Sequence, residues 1–309
     1  MDFITIINQI SVLFMVLFLG YFIRKRNIID EHSSKKISSL VVNITAPSLI
    51  VGAMMKDTSL TNIEVISILL ISIVVYICLF LMTFIIPKML KVNNDELGIY
   101  KFMIMFSNVG FMGFPVVSSI YGEEAIFYAS IYNLPFYVLV YTLGIFFVSM
   151  NNTDKGNFKI GKMINPGIYA VIIGLFIFSF KIKLPYFVSE TINMVGGLTT
   201  PLSMIVIGAS LANVKVSNIF SNVRLYIYSL LKLIVFPVII LLIIRNFGFN
   251  EIMVGVPVII TGMPVAANAV ILSKEYEGND RLASEGVFIS TMLSFITIPI
   301  LVYLLSLFT

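Results

Sequence analysis

The stretch Ser107-Asn108-Val109-Gly110-Phe111-Met112-Gly113-Phe114-Pro115-Val116 sets two glycines, a proline and an amide side chain inside an otherwise apolar segment. Near the other end of the chain, Thr261-Gly262-Met263-Pro264-Val265-Ala266-Ala267-Asn268 repeats the Gly-x-Pro-Val core inside a second apolar segment. The chemistry these residues permit is carried by the backbone. Proline has no amide hydrogen and its ring clashes with the carbonyl one turn earlier, so Pro115 frees the carbonyl of Phe111 and Pro264 that of Ile260. Each proline is also a good first residue for a half-helix that follows it. The amide hydrogens opening such a half-helix act like roughly half a positive charge. Unpaired amides near Val116 to Ser118 and Val265 to Ala267 are therefore expected to suit an anion without any buried Arg or Lys. Asn108, two turns before Pro115, and Asn268, one turn after Pro264, each offer further donors and an acceptor. Gly110, Gly113 and Gly262 would bring backbone close to a ligand, or serve only tight helix packing.

Other polar residues in the apolar segments are secondary candidates. Asn43 and Asn133 suit a structural hydrogen bond as well as a ligand, and Pro47 and Pro201 suit a simple bend as well as a site; Ser203 belongs to the same Thr200-Pro201-Leu202-Ser203 motif. Lys232 lies some two turns from a helix end, where its stem would let the ammonium reach the interface; the alternative is an internal counter-charge. His32 and Cys78 are the only residues of their kinds, which rules out a disulfide within the chain and a cysteine metal cluster. No metal or cofactor is expected. No Asp or Glu stands at the centre of an apolar segment, so a carboxylate relay for protons or sodium has no support, although carbonyls freed at the breaks could still hold Na⁺.

The elements that must position these residues follow from composition. With 59% hydrophobic and 12% charged residues and a mean hydropathy of +1.02, the chain reads as an integral membrane protein. Its net charge of +4 sits in short loops, where it reports topology and not a nucleic-acid partner. Ten apolar segments are predicted as membrane helices, at about 3–23, 37–55, 62–86, 97–121, 124–150, 164–180, 186–213, 224–245, 251–274 and 282–308. The polar stretch 151–162 divides the chain into halves, 1–150 and 163–309. Fifteen of the twenty Lys and Arg fall in loops after the odd-numbered helices, which predicts that those loops, and the 151–162 linker, are cytoplasmic and both termini outside. Pro115 and Pro264 are 149 positions apart, and Pro47 and Pro201, in Thr-x-Pro-type contexts, are 154 apart. Two pairs at nearly one offset point to an internal repeat. Five helices per half make that repeat inverted, so the half-helices after Pro115 and Pro264 would both aim their amino ends at mid-membrane.

Asn108-Val109-Gly110-Phe111-Met112-Gly113-Phe114-Pro115, with Gly262-Met263-Pro264-Val265-Ala266-Ala267-Asn268-Ala269 and Ser273-Lys274-Glu275-Tyr276, resembles the auxin efflux carrier family in its bacterial permease branch. The similarity covers essentially the whole chain. It implies an all-α membrane protein of ten helices in two inverted five-helix repeats, like bile-acid sodium symporters, with broken helices 4 and 9 crossing. It also implies a scaffold of helices 1, 2, 6 and 7, a moving core of helices 3 to 5 and 8 to 10, and a homodimer. Bacterial relatives are described as permeases for malate, malonate and similar carboxylates. The family's site positions fall on Asn108, Pro115 and Pro264. The plant carriers have a long central loop, which this chain lacks.

The expectation is a secondary transporter of a small organic carboxylate in the bacterial cytoplasmic membrane, working by alternating access. A cation exchanger or coupled symporter of the same architecture, or a receptor that binds such an anion without moving it, are the alternatives. An enzyme is not expected, since one His, one Cys and no central carboxylate leave few means for acid-base or metal chemistry.

Overall fold

The computed structural model describes residues 3–56, 61–150, 166–212 and 222–308. The 151–162 linker lies outside the described residues. An apolar solvent leaves backbone groups no partner but each other, and the chain answers with helices. They are α1 (Phe3–Lys25), α2 (Glu31–Leu40), α3 (Ala46–Met55), α4 (Asn62–Met89), α5 (Asn94–Met105), α6 (Phe114–Tyr121), α7 (Glu124–Tyr132), α8 (Leu134–Leu139), α9 (Ile145–Val148), α10 (Pro166–Ser179), α11 (Tyr186–Gly197), α12 (Thr199–Leu211), α13 (Val223–Leu230), α14 (Phe236–Ile244), α15 (Glu251–Thr261), α16 (Asn268–Glu275) and α17 (Asp280–Phe308). Among the described residues there is no β-strand, only one isolated antiparallel bridge.

Joined end to end, these helices give seven stretches long and apolar enough to cross a membrane: Ile7–Lys25, Glu31–Met55, Ile63–Met89, Glu124–Val148, Tyr186–Leu211, Val223–Phe247 and Asp280–Leu307. Three further apolar runs are shorter, Val109–Tyr121, Pro166–Ser179 and Glu251–Thr261. They fall on predicted helices 4, 6 and 9. Two of those three carry the glycine-proline motifs, and those two runs are short because their helices are interrupted.

Prolines leave a second mark. Wide π-type turns occupy Val41–Thr45, Val109–Gly113, Val140–Gly144 and Leu231–Val235, and three of them end two residues before Pro47, Pro115 and Pro237. A proline inside a helix lacks the N–H that the carbonyl four residues back requires, and its ring presses on that carbonyl. One wide turn absorbs both defects and lets the helix continue.

The chain divides into two compact units. The first gathers Met1–Leu69, Gly110–Leu134 and Ile164–Asn213. Within it, α1 and α12 pack backbone to backbone: a β-carbon on Gly208 would overlap the Leu17 carbonyl, and one on Gly20 the Ile205 carbonyl. Small residues give such close approach where apolar burial against lipid contributes little driving force. The second unit gathers Leu70–Val109, Pro135–Met163 and Val214–Thr309. Its interior is aromatic around the end of α5, where Phe106 lies 4.8 Å from Phe102 and 5.7 Å from Phe136, ring centre to ring centre. The long α17 packs against α5, α13, α15 and α16 in this unit.

Candidate functional site: a crossing of two interrupted helices

In the second unit, α5 stops at Met105 and the chain turns extended at Phe106, with φ −112° and ψ 108°. Helical structure resumes at Val109. Likewise α15 stops at Thr261, and the chain runs through Gly262–Ala267 before α16 begins at Asn268. The two interruptions cross and pair. Ser107 lies opposite Val265 in an antiparallel bridge, the Asn108 N–H donates to the Pro264 carbonyl at 2.7 Å, and the Ala266 N–H donates to the Phe106 carbonyl at 3.0 Å. A buried backbone that leaves its helix must find such partners. Here each break supplies what the other lost.

Neighbouring helices complete the arrangement. The Ser107 hydroxyl donates to the Thr261 carbonyl at 3.3 Å, meeting a group at the end of α15. The Val265 N–H donates to the Ser290 hydroxyl oxygen of α17 at 3.1 Å. By turning its N–H toward Pro264, Asn108 forsakes the carbonyl of Ile104, its acceptor in a regular helix. Lys232 takes that place, its ammonium donating to the Ile104 carbonyl at 3.0 Å.

This geometry changes the sequence reading in three respects. The break in predicted helix 4 is at 106–108, upstream of Pro115. Pro115 and Val116 lie buried inside the uninterrupted run Val109–Tyr121, because the π turn at Val109–Gly113 accommodates the proline. The amides of 116–118 are therefore helical and do not open a half-helix. In helix 9, the Val265 and Ala266 amides are consumed by Ser290 and Phe106, leaving those of Ala267 and Asn268 without a hydrogen-bond partner among the described residues. Finally, Lys232 does not snorkel. It is completely buried.

The remaining candidates sort as follows. Asn108 is 4% exposed and Asn268 half-buried, and neither side-chain amide has a hydrogen-bond partner among the described residues. Gly262 is a packing glycine: a β-carbon there would overlap Leu301 and lie 3.3 Å from Pro237. Gly110, which follows Val109 into the run assigned to the first unit, has no atom within 4 Å of a β-carbon position. Gly113 is helical, with φ −62° and ψ −52°. In the first unit, Asn43 is exposed and donates to the Ser39 carbonyl at 2.8 Å, Pro47 is half-buried at the start of α3, and Pro201 is exposed in α12. Asn133 and Ser203 are buried, each with a side-chain oxygen that has no partner among the described residues.

Ser290 was not among the sequence candidates. Its signal was available: Ser290, Ser294 and Thr297 are all buried on α17 at helical spacing, a polar stripe in a span that otherwise has no need of one.

Apolar helices interrupted at 106–108 and 262–267, with the interruptions buried in protein and tied to each other, define a multi-pass membrane protein with a discontinuous-helix centre. The chain belongs to the auxin efflux carrier family: the profile described as membrane transport protein matches residues 5–302. It is 25% identical over 303 residues to an uncharacterized transporter of Methanocaldococcus jannaschii, covering 95% of this chain and 96% of the relative. A second uncharacterized transporter, from Methanothermobacter thermautotrophicus, is 25% identical over 298 residues, with 94% and 95% covered. The uncharacterized transporter YfdV of Escherichia coli is 22% identical over 314 residues, with 96% of each chain covered. The protein is a membrane transporter and not an enzyme.

Proposed function

We propose that the protein carries a small organic carboxylate across the bacterial cytoplasmic membrane by alternating access, holding the anion at the crossing of helices 4 and 9. In this reading the chain has ten spans in two inverted five-helix repeats, acts as a homodimer and has both termini outside. One observation supports it above the others. At a crossing where the extended segments are hydrogen-bonded to each other and to α17, the side chains of Asn108 and Asn268 and the amides of Ala267 and Asn268 are left over. A carboxylate needs several convergent donors, and these are uncharged donors, which cost less to leave unpaired in an apolar interior than a charge does.

The test is ligand-induced stabilisation of the purified protein, which follows mass action. Malonate, malate, succinate and an aromatic carboxylate are titrated against thermal unfolding. At least one should raise Tm in a saturable way. Asn268→Ala should leave the unliganded Tm unchanged within about 2 °C, since no protein partner is orphaned, while removing most of the ligand-induced shift. A panel that moves Tm nowhere sinks the carboxylate reading.

A further inference from the structure

The helix ends at the crossing have an electrical balance. Two carbonyl ends arrive there, α5 at Met105 and α15 at Thr261, and two amide ends leave, the run from Val109 and α16 from Asn268. Each end carries roughly half an elementary charge, negative for carbonyl ends and positive for amide ends, so the four nearly cancel. The crossing by itself is polar but close to neutral. It has no reason to prefer a carboxylate over the uncharged amide of the same shape.

Lys232 breaks that balance. Its delivery to the crossing is set by a ladder along the seam between α5 and the helix that starts with α13. Glu96 pairs with Arg224 at 3.1 Å; one turn on, the rings of Tyr100 and Tyr228 meet edge to face at 5.7 Å; one turn further, the Lys232 ammonium reaches the Ile104 carbonyl at 3.0 Å. Each rung advances four residues on both helices, so they run parallel and in register. The outermost rung is partly exposed and neutralises itself, and Glu285 of α17 is engaged by Arg281 at 3.0 Å. Lys232 has no carboxylate partner among the described residues, and it has one hydrogen bond for three donors. A completely buried lysine in that condition holds its charge only when an anion comes to it.

We infer that Lys232 is the specificity-determining charge of the transport site: by capping the carbonyl end of α5 it makes the crossing net positive and selects a carboxylate over a neutral isostere. This rests on the carboxylate reading above, and adds to it the residue that recognises charge as distinct from shape. Asn108 and Asn268 supply direct donors. Lys232 acts through the field at the crossing, a positioning and selecting role.

The experiment compares malonate with its diamide, malonamide, on wild type, Lys232→Gln, Lys232→Met and Lys232→Arg, by calorimetric or thermal-shift titration after size exclusion has shown which variants fold. Lys232→Gln keeps a donor for the Ile104 carbonyl and removes only the charge. The expected result is malonate binding weakened about fiftyfold in Lys232→Gln and Lys232→Met, malonamide binding unchanged, and Lys232→Arg within a few-fold of wild type. A folded Lys232→Gln that still prefers malonate overturns the inference. So does equal weakening of both probes, the mark of a merely structural role, and so does failure of both uncharged variants to fold. Wild type that ignores every carboxylate but binds sulfate or nitrate in a Lys232-dependent way would keep the charge role and sink the carboxylate reading. Wild type that binds neither kind of anion overturns both.

Discussion

At the scale of single residues, the crossing separates groups that hold structure from groups free to act. Ser107, Ser290 and the amides of Asn108, Val265 and Ala266 are committed to protein partners, while the Asn108 and Asn268 side chains are not. The glycines separate in the same way. Gly262→Ala should cost about 1–3 kcal/mol by forcing Leu301 and Pro237 apart, whereas Gly110→Ala should be neutral or slightly stabilising because its β-carbon meets nothing within 4 Å. Thermal melts of the two variants in one detergent check this, and equal destabilisation would show that Gly110 is also a contact glycine. That the chain near Asn108 and Pro264 leaves the helix was legible in the sequence, because two glycine-proline motifs at matching places in two apolar segments are unlike the isolated amides and prolines elsewhere. The burial of Lys232 was not legible. Two turns from a helix end, a lysine stem is long enough to reach water, and only the position of α5 and its orphaned Ile104 carbonyl decides that it stays inside.

At the scale of elements, most helix positions could be read from hydropathy, and the break in helix 4 could not be read in full. Apolar length locates a span because lipid demands it, and the observed spans begin and end within several residues of the expected ones, as with Val223–Phe247 against 224–245. A proline marks a missing N–H, but it does not say whether the helix breaks or merely widens. At Pro115 it widens, through the π turn Val109–Gly113. The break at 106–108 is instead imposed by a segment more than 150 residues away, through the Ser107 to Val265 pairing, and no local signal in helix 4 encodes that partner. In helix 9 the proline does stand in the extended segment, its carbonyl accepting from Asn108. A prediction follows for the element. Pro115→Ala should let Val109–Gly113 tighten to an ordinary α turn while the break persists, so ligand affinity should change by less than about fivefold. Hydrogen exchange at the Asn108 and Ala266 amides reports on the break directly. Protection lost there in Pro115→Ala would show that the proline and not the pairing holds it open.

At the scale of the whole molecule, the chain spends its sequence on helices and on one well-bonded place where helices stop. Among the described residues the seven long apolar spans carry few charges, and two of the three short runs, Val109–Tyr121 and Glu251–Thr261, adjoin the interruptions. That distribution places the interrupted, polar backbone inside protein and leaves the apolar spans to face lipid. The central claim is that this site moves a small carboxylate. Its most direct test is uptake of radiolabelled malonate, malate and succinate into liposomes containing the purified protein, with Asn268→Ala as control. The account predicts saturable uptake of at least one of them, competed by unlabelled carboxylate and reduced at least tenfold in Asn268→Ala. Uptake no greater than in protein-free liposomes for every carboxylate, from protein shown to be folded, would contradict it.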